Sequence, residues 1–515
     1  MSFISKLHGH KWTRLVAAFL AGSSCTLAFA PYDLWGVLPV AFAIALYLGH
    51  SLNAKQSFVH WLSFGFGYFV VGISWVHVSM AEYGGMPLIA SLLLMALLAL
   101  YLALFPALTG YLSRRLSPKS GWQHDVLLFP ALWGLMEWAR GWVLTGFPWL
   151  WAGYSQTEGP LAPIAAGFGA IGLSFLIIFI AGALAQLFKK RWQSTAICLP
   201  LAVVLIFISP QFSNVTASGK TMKVAMVQGN IPQSTKWHPE MLWPTMIKYM
   251  DLTRENYDAD VIIWPEAAVP APEHLVDDFL VTANKSANLN DSAIVTGIIS
   301  QTSETTFYNA LIVLGNMHKK QQAHGDYVLH GSNEYKKHHL LPIGEFVPFE
   351  DWLRPIAPLF DLPMSSFTRG SYVQPDLLAL GYHITPAICF EITFPEQVRD
   401  NLKANSDVIL TVSNDAWFGT SIGPLQHMQI AQMRAIELGK PVLRATNNGV
   451  TAIVNPQGKI TEQLPQFKTG VLQAEVPLMK GETLFYRLGQ LPVLLFCGLL
   501  VVAGFVYSRK KTATD

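Results

Sequence analysis

Cys389 is the residue best suited to covalent chemistry. It stands in Ala387-Ile388-Cys389-Phe390-Glu391, at the end of a short apolar run. Of the four cysteines, Cys25, Cys198 and Cys497 lie inside long apolar stretches, where a thiol is simply a small hydrophobe. Cys389 alone lies in a polar part of the chain. An unpaired cysteine in that setting is either buried and inert or a nucleophile, and spacing alone leaves both readings open. As a nucleophile it needs a base, because a thiol of pKa ~8.5 is only a few per cent ionised at neutral pH.

Two further places could supply polar partners. The passages Ala259-Asp260-Val261-Ile262-Ile263-Trp264 and Ser406-Asp407-Val408-Ile409-Leu410-Thr411 echo each other. Each reads as a strand covered on both faces. Glu266 follows the first and Asn414-Asp415 the second. The ends of buried strands are where α/β proteins often hold their chemistry.

The elements that must position these residues fall in a segment of about 215–484. Short apolar runs predict strands at Lys223–Gln228, Asp260–Trp264, Ala293–Ile299, Ala310–Leu314, Ile384–Cys389, Val408–Val412, Val442–Ala445 and Thr451–Asn455. Amphipathic stretches predict helices near 239–256, 274–288, 394–404 and 424–439.

The rest of the chain is of another kind. Of 515 residues 51% are hydrophobic and 13% charged, against about 25% charged in an ordinary soluble domain. This excludes a disordered or collagen-like chain, and a net charge of +2 excludes a basic nucleic-acid surface. A membrane span needs roughly 20 mostly apolar residues. Eight stretches qualify as candidates: 12–31, 34–50, 56–80, 86–112, 124–144, 159–188, 193–210 and 486–508. Basic clusters at Lys6–Arg14, Lys55, Arg114–Lys119, Lys189–Arg191 and Arg509–Lys511 share one side only with eight spans. That pattern puts both termini in the cytoplasm and the large polar segment outside.

Three motifs have plainer readings. Lys6–Ala30 imitates a signal peptide, but Pro31 directly follows the apparent cleavage site. Gly167-Phe168-Gly169-Ala170-Ile171-Gly172 matches a dinucleotide fingerprint inside an apolar helix, where small residues let helices approach closely. His330, His338 and His339 invite a zinc reading. Adjacent histidines on a strand face opposite ways, and no matching Cys/His pair exists, so no metal is expected. Within the fifth span, Glu137 and Arg140 share a helical face, as a local ion pair or as a headgroup or substrate contact.

Three blocks then carry a resemblance. Trp264-Pro265-Glu266, the stretch from Tyr335 to Glu345 and Cys389-Phe390-Glu391 resemble the carbon–nitrogen hydrolase (nitrilase) superfamily, in its order Glu, Lys, Cys. Gln228–Gln233 and Asn414–Phe418 add to it. With seven preceding spans and one following, the whole chain is similar to the apolipoprotein N-acyltransferase family of bacterial membrane enzymes. Phe390 departs from it, since many members carry Tyr there.

The resemblance implies an α-helical membrane domain of eight transmembrane helices plus an α/β nitrilase-like αββα sandwich. The expected boundaries are 1–212 for seven helices, 215–484 for the extracytoplasmic catalytic domain, 486–508 for the last helix and 509–515 for a cytoplasmic tail. It implies Cys389 as nucleophile, Glu266 as base and Lys337 at the oxyanion, supported by Glu345 and Glu391. Trp237, Phe390, Trp417, Phe418 and Arg140 are the expected substrate contacts. The implied reaction is ping-pong at the inner membrane: an acyl chain passes from a phospholipid donor, through a thioester, to the amine of a diacylglyceryl lipoprotein. Ester to thioester to amide needs no cofactor. The rivals are a membrane-anchored amidase using the same residues with water, and a transporter or scaffold with an inert outer domain. Finally, Phe346–Phe367 mixes apolar residues with four prolines and is expected to be a lid or binding loop.

Overall fold

The computed structural model describes residues 10–117, 121–316, 327–342, 344–346 and 367–514. The expected lid therefore lies almost wholly outside the described residues. The chain forms two compact units, Met1–His77 with Pro87–Asn214 and Thr483–Asp515, and Val78–Met86 with Val215–Glu482.

In the first unit each apolar stretch holds a helix: Lys11–Ser24, Val37–Leu48, Ala54–Gly72, Leu88–Leu116, Phe129–Arg140, Ala165–Phe188, Trp192–Ile208 and Leu491–Thr514. Among the described residues three helices, Leu88–Leu116, Ala162–Phe188 and Leu491–Ser508, are long and apolar enough to cross a membrane. A fourth is added if the bent pair Ala54–Gly72 and Val76–Tyr83 is one span. The remaining four apolar helices are shorter, at 12–17 residues each. A helix of 12 residues such as Val37–Leu48 rises about 18 Å, against a hydrocarbon core of about 30 Å. Aromatic rings fill the interior, with Phe42 4.8 Å from Phe64 and 4.6 Å from Trp133 between ring centres. Leu93, Leu97, Phe207, Leu499 and Val502 point outward and remain exposed. The G-x-G-x-x-G stretch is a packing device. Gly169 has φ +65°, and a Cβ there would lie 2.4 Å from the Phe485 ring.

The second unit contains two six-stranded sheets. The strands are β1 (Thr216–Gln228), β2 (Val261–Ile263), β3 (Ala293–Ser303), β4 (Thr306–Leu314), β5 (Glu334–Lys336), β6 (Leu377–Ala379), β7 (Tyr382–Ile388), β8 (Val408–Ser413), β9 (Val442–Thr446), β10 (Ala452–Val454), β11 (Ile460–Gln463) and β12 (Gly470–Lys480). One sheet runs β12-β1-β2-β3-β4-β5 and the other β11-β10-β9-β8-β7-β6. Each has a parallel trio, β1-β2-β3 and β7-β8-β9. The two echoing passages are the central strands of those trios, β2 and β8, which explains why both are apolar throughout.

The inner faces meet in a core that includes Val224, Ile263, Val295, Ile388, Leu410 and Leu443. On the outer face of the first sheet, Ile262, Trp264 and Ile294 pack with Met246 and Leu280. Those two side chains come from helices Leu242–Arg254 and Asp277–Leu289. Helices Pro395–Asn401 and Gly423–Leu438 contact β7 and β9 of the second sheet. The result is a helix–sheet–sheet–helix sandwich. Sequence reading missed β5, β6, β11 and β12. The first two have three residues each, and β11 is exposed throughout.

Val78–Met86, expected as the end of the span at 56–80, the short loop after it and the start of the span at 86–112, groups with this second unit. The Ser79 hydroxyl donates to the Trp417 carbonyl at 2.8 Å, and the Tyr83 ring meets the Trp417 ring edge-on at 6.1 Å.

Candidate active site

Both sheets deliver polar groups at the ends of their parallel strands. β2 runs into Trp264-Pro265-Glu266, and Gly297 of β3 lets that turn lie flat on the sheet. A Cβ on Gly297 would meet the Pro265 carbonyl oxygen at 2.6 Å and Glu266 Cα at 2.8 Å. β5 pairs with β4 so that Lys336 faces Ala310, and the Lys337 amide donates to the Asn309 carbonyl at 2.8 Å. Cys389 directly follows β7, whose Ile388 pairs with Val412 of β8, bringing Ser413 and Asn414 alongside.

Lys337 is the hub. It is 1% exposed, and its ammonium lies 2.8 Å from Glu345 Oε2 and 3.5 Å from Glu266 Oε1. The Asn309 side-chain amide donates to both carboxylates, at 2.8 Å each. The Asn414 amide donates to the other Glu266 oxygen at 2.9 Å, and the Leu341 amide to Glu345 at 2.8 Å. Burial alone would push the Lys337 ammonium down. The charges of Glu345 and Glu266, with Cys389 nearby, outweigh it and hold this lysine above its ordinary range. Lys337 is thus a fixed cation and cannot act as a base.

Cys389 is half-buried and has a left-handed backbone at φ +53°. Such a conformation costs a non-glycine residue roughly 1–2 kcal/mol, and strain of this kind concentrates at functional sites. Burial, reinforced by the Glu266 charge, pushes the thiol well above the ordinary cysteine value, with Lys337 pulling the other way. The resting sulfur is therefore a thiol. An attack by this sulfur on a carbonyl would require the proton to leave in the same event, and Glu266 and Asp415 are the carboxylates within electrostatic reach.

Glu391 is fully buried and receives the amides of Ile388, His338 and His339, the Gln397 amide and the Tyr335 hydroxyl, at 2.8–3.1 Å. It fastens the turn at Cys389 to the loop that carries Lys337. Phe390 is buried in an aromatic cluster, 5.1 Å from Phe394 and 5.9 Å from His339 between ring centres. Trp237, Trp417 and Phe418 are half-buried.

Arg140, expected as a headgroup or substrate contact, is 2% exposed in the first unit. Its guanidinium donates to the carbonyls of Phe147 at 2.8 Å and Trp149 at 2.6 Å and lies over the Phe69 ring. Glu137 accepts from Trp133 and from the Ala152 amide, each at 2.9 Å. The two charges clasp the turn at 147–152 instead of opening to a headgroup. Of the histidines considered for zinc, His338 bonds the Gly370 carbonyl and His339 stacks on Phe394. Among the described residues no group of three or more His, Cys, Asp or Glu could hold a metal ion.

Sequence reasoning missed Asn309, Ser413 and Lys236. Ser413 Oγ lies 3.3 Å from the Cys389 sulfur. The buried Lys236 ammonium donates to the Glu266 carbonyl at 3.2 Å and, mainly through burial, is lowered to about 8. Asn309 is set only by the register of β4 against β5, so a single sequence gives no local signal for it.

The carbon-nitrogen hydrolase family matches residues 223–484, and the apolipoprotein N-acyltransferase N-terminal domain matches residues 21–183. The apolipoprotein N-acyltransferase of Shewanella oneidensis is 63% identical, over 97% of this chain and 96% of its own. That of Vibrio cholerae is 48% identical over 98% of this chain and 99% of its own. That of Haemophilus influenzae is 37% identical over 98% and 97%. Among solved structures, an amidase from Nesterenkonia sp. aligns with 50% of this chain and 91% of its own, at 16% identity and a TM-score of 0.35.

Proposed function

Because this chain belongs to the apolipoprotein N-acyltransferase family, we propose that it moves a fatty acyl chain from a phospholipid to a lipoprotein through a thioester on Cys389. The supporting observation is the buried Lys337 ammonium, bracketed by Glu345 and Glu266 and within electrostatic reach of the Cys389 thiol.

In the first half-reaction the Cys389 sulfur attacks the ester carbonyl while its proton passes to Glu266. Lys337 faces the developing oxyanion, an interaction often worth several kcal/mol. The carbon–oxygen bond breaks, and Glu266 returns the proton to the departing alcohol, a lysophospholipid. In the second half the free α-amine of diacylglyceryl-cysteine attacks the thioester and gives a proton to Glu266. The carbon–sulfur bond breaks, and that proton restores the thiol. Glu345 holds Lys337 in place, and Glu391 holds the two loops together. Trp237, Trp417 and Phe418 are the side chains we assign to the acyl groups. The rings are large, apolar and half-buried.

We place the protein in the bacterial inner membrane, with 1–212 and 486–508 as the membrane part, built of eight spans. Both termini then lie in the cytoplasm, and the domain at 215–484 lies on the periplasmic side. The basic clusters at alternate loops support this orientation. It puts the thiol where two lipid-anchored substrates can reach it.

The test is reconstitution in phospholipid vesicles with a diacylglyceryl-cysteine peptide. Amide formation on the peptide amine with matching lysophospholipid is the expected result. Free fatty acid or ammonia, with an unmodified peptide, would establish the amidase reading instead.

A further inference from the structure

We propose that Ser413 is the switchable partner of the reacting sulfur: it accepts from the Cys389 thiol at rest and donates to the thiolate when the thioester breaks. This rests on the reading of Cys389 as acyl carrier and deepens it.

Ser413 Oγ lies 2.6 Å from Asp415 Oδ1 and 3.3 Å from Cys389 Sγ. A serine hydroxyl has one proton. The shorter, charge-assisted contact to the carboxylate takes it, so the thiol must be the donor at the sulfur contact. Asp415 secures this arrangement. Both it and Arg444 are fully buried, and the guanidinium lies 2.7 Å from Asp415 Oδ2. Burial would raise the Asp415 carboxyl, but Arg444 and its hydrogen bonds hold it below the usual carboxylate range. Asp415 therefore keeps its charge and does not take the thiol proton through Ser413. The base remains Glu266.

The same cluster fixes the backbone at Cys389. Arg444 Nη2 lies 3.0 Å from His427 Nδ1. The same Nδ1 lies 3.4 Å from Asp415 Oδ1; a guanidinium only donates, so we assign Nδ1 as acceptor on its shorter contact, with the ring proton on Nε2, 3.0 Å from the Cys389 carbonyl oxygen. Burial and the Arg444 charge hold His427 in its neutral form. Sulfur and carbonyl of the turn are thus gripped by neighbouring groups of one buried set. Ser413 and Asp415 approach from β8 and the turn after it, His427 from helix Gly423–Leu438 and Arg444 from β9. Glu266 and Lys337 face the sulfur from the other sheet.

The switch operates on bond breaking. When the amine attacks, the carbon–sulfur electron pair returns to sulfur. The Ser413 proton then turns from Asp415 to the thiolate, while Arg444 continues to neutralise Asp415. Proton return from Glu266 to sulfur resets the pair. Asp415, Arg444 and His427 are positioning residues in this scheme.

The experiment follows the rate of Cys389 alkylation by iodoacetamide against pH, read by mass on the Cys389 peptide of full-length protein in detergent. In Ser413→Ala the midpoint is expected to rise by about one to two pH units, the size of a hydrogen bond to a charged group. Ser413→Thr, which keeps the hydroxyl, should restore it. An unchanged midpoint in Ser413→Ala overturns the proposal. A second reading needs no Ser413 variant. The infrared S–H stretch, isolated by subtracting Cys389→Ala, should lie below the free-thiol frequency in the wild type, and a free-thiol band overturns the proposal. If alkylation shifts as expected but Cys389 never carries an acyl group, the reading of Cys389 as acyl carrier fails and the Ser413 contact stands. A shared midpoint with normal acylation sinks Ser413 alone.

Discussion

Glu266 and Glu345 share one donor, the Asn309 side-chain nitrogen, which lies 2.8 Å from an oxygen of each. Two negative charges this close repel one another. One ammonium and one amide lie between them, and each carboxylate is aimed by a further backbone amide. Lys337 offsets only one of the two negative charges, and Asn309 fixes the Glu266 oxygen that faces the ammonium.

Asn309→Ala should therefore lower kcat about 10–100-fold with little change in KM for phospholipid, the effect of losing hydrogen bonds to charged groups. Acyl transfer in vesicles checks this. A raised KM at unchanged kcat would show that Asn309 serves binding and not the base.

Glu266→Gln should move two readouts in opposite directions. Removing the negative charge that helps raise the Cys389 thiol should lower its alkylation midpoint. Acyl transfer should nevertheless fall by about 10²–10⁴-fold, the usual contribution of a general base. Parallel pH profiles of alkylation and transfer on one preparation decide it. A fall in both would mean a collapsed site, and full transfer would mean another base.

Asp415 connects the site to stability. Its folded carboxyl lies below the ordinary aspartate value near ~3.9. Its contribution is complete above that value and is lost as pH falls through the folded pKa. Asp415→Asn strands a buried guanidinium and should destabilise the protein by about 3–5 kcal/mol at neutral pH. The gap between variant and wild type should narrow as pH falls below about 4. Thermal unfolding in detergent from pH 3 to pH 8 measures it, and a gap that widens toward acid would refute the assignment.

Much of the fold was legible because its strongest signals are local. The apolar runs of β2 and β8 are the central strands of the two parallel trios, so burial on both faces wrote them plainly into the sequence. Edge strands such as β11 bury little and left no such trace. The membrane part was legible as apolar helices, while their lengths were not. A π-helical turn at His124–Leu128 and a 3-10 turn at Cys25–Ala28 interrupt or end helices inside stretches that read as continuous. In the site, Glu266, Lys337 and Cys389 were visible through their blocks. Asn309 and Ser413 were not, because their roles follow from strand register across sheets. Arg140 was visible as a costly charge, yet nothing in the sequence shows that the carbonyls of Phe147 and Trp149 take it up.

The central claim is that Cys389 carries the acyl chain. Intact-mass spectrometry of the detergent-purified protein, supplied with phospholipid and no acceptor, tests it most directly. The expected result is a fatty-acyl mass increment on wild type, absent in Cys389→Ala and removed by neutral hydroxylamine. An increment that survives in Cys389→Ala, or none on wild type under conditions that yield lysophospholipid, would contradict it.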